Sequence, residues 1–113
     1  MMKGYDREEA IRFISARINR KEHAELADMI ETLVAQAIDA DMAYMHESGV
    51  LDEDGNAGDQ YYEDDEAFEY MVEAIVAANQ LTPEQAVKVA ALVDDYMDFQ
   101  QDYLESKGLV EWE

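Results

Sequence analysis

The chain has 113 residues, 49% of them hydrophobic, with no cysteine and 28 acids against 8 bases, a net charge of −20. That length suits one domain with a single core. The absent cysteine excludes disulfides and thiolate metal sites, and the charge opposes direct contact with nucleic acid or anionic lipid.

The first residues, "MMKGYDREEA", hold no apolar signal core, and no apolar run approaches the ~18 residues of a membrane span. A cytoplasmic protein without membrane contact is the expectation. Asp6 followed by Glu9 forms a capping-box pattern, and Ile11, Ile14 and Ile18 recur at helix spacing, which predicts a first helix over about 6–19. A second helix over about 22–48 carries Leu26, Ile30, Leu33, Ala37 and Tyr44 on one stripe. It closes at Gly49, with Val50 placed for the apolar contact of a Schellman motif. Residues 50–63 form an acidic connector without helical pattern. A third helix starts at Asp64 or Asp65 and carries Phe68, Val72 and Ile75 to Asn79. "TPEQ" at 82–85 marks the next start: Thr82 as N-cap, Pro83 in the first turn, Gln85 closing the box. This fourth helix runs to about Lys107 and ends at Gly108 with Leu109 behind it.

On the fourth helix Val89, Leu92, Tyr96, Phe99 and Tyr103 share one face, and Asp94, Asp98, Asp102 and Glu105 the opposite one. Shifting the chain by 59 superimposes Asp6 on Asp65, Leu33-Val34 on Leu92-Val93 and Asp39 on Asp98, and also Tyr44 on Tyr103 and Gly49 on Gly108. The chain therefore reads as one all-α domain, four helices in two antiparallel hairpins, bundle-like, with the acidic connector between them.

Catalytic chemistry has no candidate residues. Ser15, Ser48 and Ser106 sit in no nucleophile motif, and no glycine-rich phosphate loop exists. His23 and His46 lack both the Glu-x-x-His spacing of di-iron bundles and a second His one turn away, so structural roles are expected of them. Asp41 falls near the apolar stripe of the second helix. Two expectations follow: an acid at the edge of the stripe that reaches water, or a buried carboxylate that needs a partner, which Arg12 or Arg17 of the first helix could supply.

The connector itself, "LDEDGNAGDQYYE", places Asp52, Asp54, Asn56 and Glu63 at steps 1, 3, 5 and 12, with Gly58 offering a carbonyl at step 7. It resembles an EF-hand loop, which would imply calcium as the ligand; no other cofactor is expected. It departs from that pattern where Ala57 takes the turn glycine's step and Asp59 the apolar eighth step. Gly49 also ends the entering helix before the loop begins.

Acidity is the larger feature. Residues 22–87 hold 18 acids and no Lys or Arg, whereas residues 1–21 hold six bases (Lys3, Arg7, Arg12, Arg17, Arg20, Lys21) against three acids. The expected function is a small non-catalytic interaction domain that binds a basic protein partner through its 47–73 surface. Glu63, Asp64, Asp65, Glu66, Glu69 and Glu73 form the centre of that surface. In size, helical pattern and charge the chain also resembles DNA-mimic inhibitors of nucleic-acid-binding proteins. Carboxylates every fourth helical residue repeat only at about 6 Å, against a duplex charge per roughly 1.7 Å, so mimicry requires several aligned stripes. The apolar ridge of the helix at 83–107 offers a route to homo-oligomers, with Trp112 expected to pack back onto the bundle.

Overall fold

The Asp6 carboxylate accepts the Glu9 amide at 3.1 Å and starts α1 (Arg7–Arg17). A short 3-10 helix (Ala24–Met29) leads into α2 (Ile30–Ser48), followed by α3 (Asp64–Asn79) and α4 (Pro83–Ser106). The computed structural model describes residues 4–55, 58 and 60–109, all-helical with no extended sheet among them. Trp112 and Asn56 lie outside the described residues. α1 and α3 each pack on both α2 and α4 without meeting each other, and α2 touches α4 across the diagonal. Contacts fix the directions. Tyr44 near the end of α2 reaches Glu66 at the start of α3, whereas Gln36 bonds Asn79 at its end. Tyr103 near the end of α4 likewise meets Asp6 and Glu9 at the start of α1. This is an antiparallel four-helix bundle in two hairpins. No helix among the described residues is long and apolar enough to cross a membrane.

The expected second helix over 22–48 is interrupted. Residues 24–29 form the tighter 3-10 turn, whose period of three aligns His23, Leu26 and Met29 toward the core. His23 stands where the other hairpin has the N-cap Thr82, but makes no side-chain cap bond. Thr82, by contrast, completes its capping box with Gln85. α1 also ends before residue 19, because Ile18 turns extended and Asn19 accepts the Lys21 and Glu22 amides. At the end of α2 Gly49 adopts the left-handed conformation at φ 85°, as its position requires. The closing bond there comes from the Leu51 amide to Met45 O at 3.0 Å, one residue later than a Schellman motif at Val50 would place it. α4 does close as expected, with the Leu109 amide on Leu104 O and Gly108 left-handed. On α3 the buried stripe is Ala67, Met71 and Ile75, with Phe68 and Val72 only half-buried at its edge.

The two hairpins match more closely than a single shift of 59 shows. That offset holds for α2 against α4, but α1 aligns with α3 at 57, so "YDREEAIRFISARI" (5–18) lies over "YEDDEAFEYMVEAI" (62–75). Ala10, Ile14 and Ile18 then coincide with Ala67, Met71 and Ile75, all buried. The contacts repeat as well. Tyr103 meets the Tyr5 and Phe13 rings edge-on at 5.2 and 5.4 Å, and Tyr44 packs on their counterparts Tyr62 and Tyr70 at 5.8 and 5.7 Å. Each of these two tyrosine hydroxyls donates to a helix N-cap carbonyl and to the carboxylate three residues on: Asp6 and Glu9, or Glu63 and Glu66. The fold is an internal pseudo-two-fold, and the expectation that Asp6 overlies Asp65 is corrected by two residues.

Candidate functional site

α3 begins without a side-chain cap, because the Glu63 side chain makes no cap hydrogen bond. Its first turn is instead stabilised electrostatically, with Asp64, Asp65 and Glu66 beside the positive end of the helix dipole. Glu63, Asp64, Asp65, Glu66, Glu69 and Glu73 are all exposed. None of the six is paired with a Lys or Arg among the described residues. The Glu66 carboxylate accepts the Tyr44 hydroxyl at 3.1 Å.

Behind the start of this helix lies a cleft of about 480 Å³ between α2, α3 and α4. Asp64 and Asp65 on α3 and Asp94 and Asp98 on α4 line it together with the apolar Phe68, Met97 and Leu104. Asp41 and Gln100, 2% and 4% exposed, line it from α2 and α4. Asp41 neither reaches water nor pairs with Arg12 or Arg17, the two expectations from the sequence. Its Oδ1 accepts the Tyr62 hydroxyl at 2.7 Å and its Oδ2 the Tyr96 hydroxyl at 2.9 Å. The reason is rotational. Asp39, not Asp41, is the α2 acid that meets α1, where it takes the Arg7 guanidinium through two bonds of 2.9 Å. Arg17 folds back onto its own helix, over the Phe13 ring and onto Phe13 O.

Burial is the main influence on the Asp41 carboxyl and raises its pKa to about 6, while hydrogen bonds from Tyr62 and Tyr96 and the nearby Gln100 amide oppose the shift and the Asp64 charge adds to it. Burial, followed by the Asp41 charge, pushes the Tyr62 and Tyr96 hydroxyls up, so both remain protonated donors. Tyr5 completes the network by donating to Gln100 Oε1 at 2.7 Å. Gln100 Nε2 faces toward Asp41 and favours its ionised form, yet makes no hydrogen bond of good geometry among the described residues. Asp41 thus carries a charge in the core with hydroxyl donors and no counter-ion among the described residues.

The connector does not gather its ligand steps. Asp52, Asp54 and Glu63 form no three-carboxylate grouping among the described residues. Asp52 Oδ1 instead accepts the Asp54 amide at 2.9 Å and its carbonyl accepts the Gly55 amide at 3.1 Å, a turn closed on itself. Gly58 engages through its amide, which donates to Val50 O at 2.8 Å. A Cβ at Gly58 would overlap the carbonyl oxygen of Gly49, so this glycine allows the connector to lie against the helix end.

Among the described residues one grouping of three metal-ligating side chains occurs, Glu22, His23 and Asp95. Within it the buried His23 Nε2 and Asp95 Oδ2 are already 2.6 Å apart in a hydrogen bond that ties the 3-10 turn to α4. His46 lies in the last turn of α2, at the negative end of the helix dipole.

Sequence reasoning placed Asp94 and Asp98 on a solvated stripe and did not join them to Asp41. The signal that links them is the tyrosine preceding each hairpin's first helix, Tyr5 and Tyr62, which appears only when the first helices are aligned at 57. No family model, curated protein or solved structure matches this chain.

Proposed function

We propose that this is a small non-catalytic recognition domain that binds a basic protein partner through the acidic face centred on α3. The observation that carries the reading is the set of six exposed acids, Glu63, Asp64, Asp65, Glu66, Glu69 and Glu73, none paired with a Lys or Arg among the described residues. Asp65 with Glu69, and Glu69 with Glu73, stand one helical turn apart. Such like-charge pairs disfavour an isolated helix by about 0.2–0.5 kcal/mol each. A fold that retains this repulsion gains a strong local field, which steers a basic surface toward it and falls off with added salt. Two of the bases are engaged elsewhere: Arg7 is held by Asp39, and Lys107 pairs with Glu9 at the opposite hairpin.

The test is retention of a basic polypeptide by the immobilised chain at low and high salt, beside a variant carrying Glu66→Gln, Glu69→Gln and Glu73→Gln. Salt-sensitive retention that weakens in the variant supports the reading. Equal retention by both proteins, or none at low salt, overturns it.

A further inference from the structure

The pseudo-two-fold relates the cleft to a site in the first hairpin that is already filled. Asp64 is the counterpart of Arg7, and Asp98 the counterpart of Asp39. In the first hairpin the Arg7 guanidinium grips Asp39 through Nε and Nη2, both at 2.9 Å. The second hairpin has two carboxylates at those positions and no base. The apolar lining differs in the same way. Ile38 and Met42 are buried in the first hairpin, where the second has the half-buried Met97 and the exposed Gln101. The position that lacks the arginine opens onto the cleft of about 480 Å³. The buried Asp41 lines that space, held by the Tyr62 and Tyr96 hydroxyls and without a counter-ion among the described residues.

We infer that the cleft between α2, α3 and α4 receives an arginine side chain of the basic partner, its guanidinium on Asp98 and Asp64 and its aliphatic stem against Phe68 and Met97. This rests on the reading of the acidic face given above and specifies its central contact. Guanidinium suits the site better than ammonium because its planar fork matches a carboxylate bidentately, as Arg7 does on Asp39. A residue of a basic segment suits it better than a free small molecule, because the rim acids Asp64 and Asp65 continue into Glu66, Glu69 and Glu73 along the exposed face. Neighbouring cations of such a segment then meet charge of the opposite sign.

The experiment titrates the full chain, followed by amide chemical shifts, with the blocked peptide acetyl-Gly-Arg-Gly-amide and its lysine and citrulline counterparts. Shifts should centre on Phe68, Met97 and Asp98. The arginine peptide should bind more tightly than the lysine one, and the neutral citrulline isostere at least about tenfold more weakly. Asp64→Arg restores within the chain the pair that Arg7 makes with Asp39. It should abolish peptide binding while leaving the thermal midpoint within a few degrees of the natural chain's, because the gained pair offsets the lost interaction of an acid with the helix dipole, so that loss of binding cannot be ascribed to unfolding. Equal shifts from arginine and citrulline peptides, or undiminished binding by Asp64→Arg, would overturn the inference. Tighter binding of free methylguanidine than of the arginine peptide overturns the partner assignment in favour of a small molecule. Retention of a basic polypeptide without shifts in the cleft would sink this inference alone, leaving the acidic-face reading standing. Cleft shifts without such retention would do the reverse.

Discussion

Asp41 and Gln100 are counterparts, 59 positions apart on α2 and α4, and each accepts the hydroxyl of the tyrosine that precedes a helix N-cap: Tyr62 on Asp41 and Tyr5 on Gln100, both at 2.7 Å. The pseudo-symmetry of the bundle is thus broken chemically at its centre, where one half holds a carboxyl and the other an amide. Tyr96 has Ala37 as its counterpart, so only the carboxyl receives a second hydroxyl.

That asymmetry makes stability depend on pH. Asp41 keeps its proton up to about pH 6 in the folded chain, against 3.8 as its ordinary value. Between those values the folded state binds more protons, so stability falls as pH rises, by about 3 kcal/mol in total at about 1.4 kcal/mol per unit. Asp41→Asn removes this contribution. Urea midpoints measured from pH 4 to pH 7.5 should show the variant gaining on the natural chain by about that amount as pH rises. Parallel curves would refute it.

Tyr96→Phe leaves Asp41 Oδ2 without its hydroxyl donor in a buried setting. The expected loss is about 1–3 kcal/mol at pH 7.5. It should shrink below pH 4, where the carboxyl is neutral and less costly to leave unsatisfied. Chemical denaturation at the two pH values measures both, and a loss independent of pH would mean that the hydroxyl acts through packing alone.

Two glycines separate backbone strain from close approach. Gly108 has φ 68° and nothing within 4 Å of a built Cβ. Gly108→Ala should cost about 1–2 kcal/mol, the left-handed penalty alone. Gly58→Ala forces the connector away from Gly49 O and breaks the bond to Val50 O, so it should destabilise more, by thermal denaturation. Equal losses would show that the connector yields without strain.

Calcium supplies a further check on the connector. With Asp52 engaged by the Asp54 amide and no convergent carboxylates among the described residues, calorimetric titration should give no saturable site below millimolar calcium. A saturable site lost in both Asp52→Ala and Glu63→Ala would restore the EF-hand reading.

The features legible in the sequence are those decided within a few residues. Thr82 with Gln85, Asp6 with Glu9, and the left-handed Gly49 and Gly108 set helix ends through bonds one turn away. The stripes through Ile14, Leu33 and Val89 follow from helical period alone, and all three are buried. The acids of α3 were visible as a charged run because exposure needs no partner. His23 shows the limit. A helical pattern continued through it, but a missing cap and a bond to Asp95, 72 residues away, wound 24–29 tighter.

The cleft was settled at the level of packing. Whether Asp41 faces Arg12, Arg17 or the tyrosines depends on the rotation of α2 between its neighbours, and helical periodicity locates a residue only relative to its own axis. The two-residue difference between the 57 and 59 offsets has the same origin, since the connection between α1 and α2 absorbs it and only side-chain interdigitation selects the register. By itself the sequence determined four helices, the capped and glycine-closed ones among their ends, and a run of acids along α3. Tertiary structure decided that one buried carboxyl, two rim aspartates and the missing counterpart of Arg7 converge on one opening, because the groups that form it are brought together by contacts such as those of Tyr96 with Asp41 and Tyr5 with Gln100, 55 and 95 residues apart.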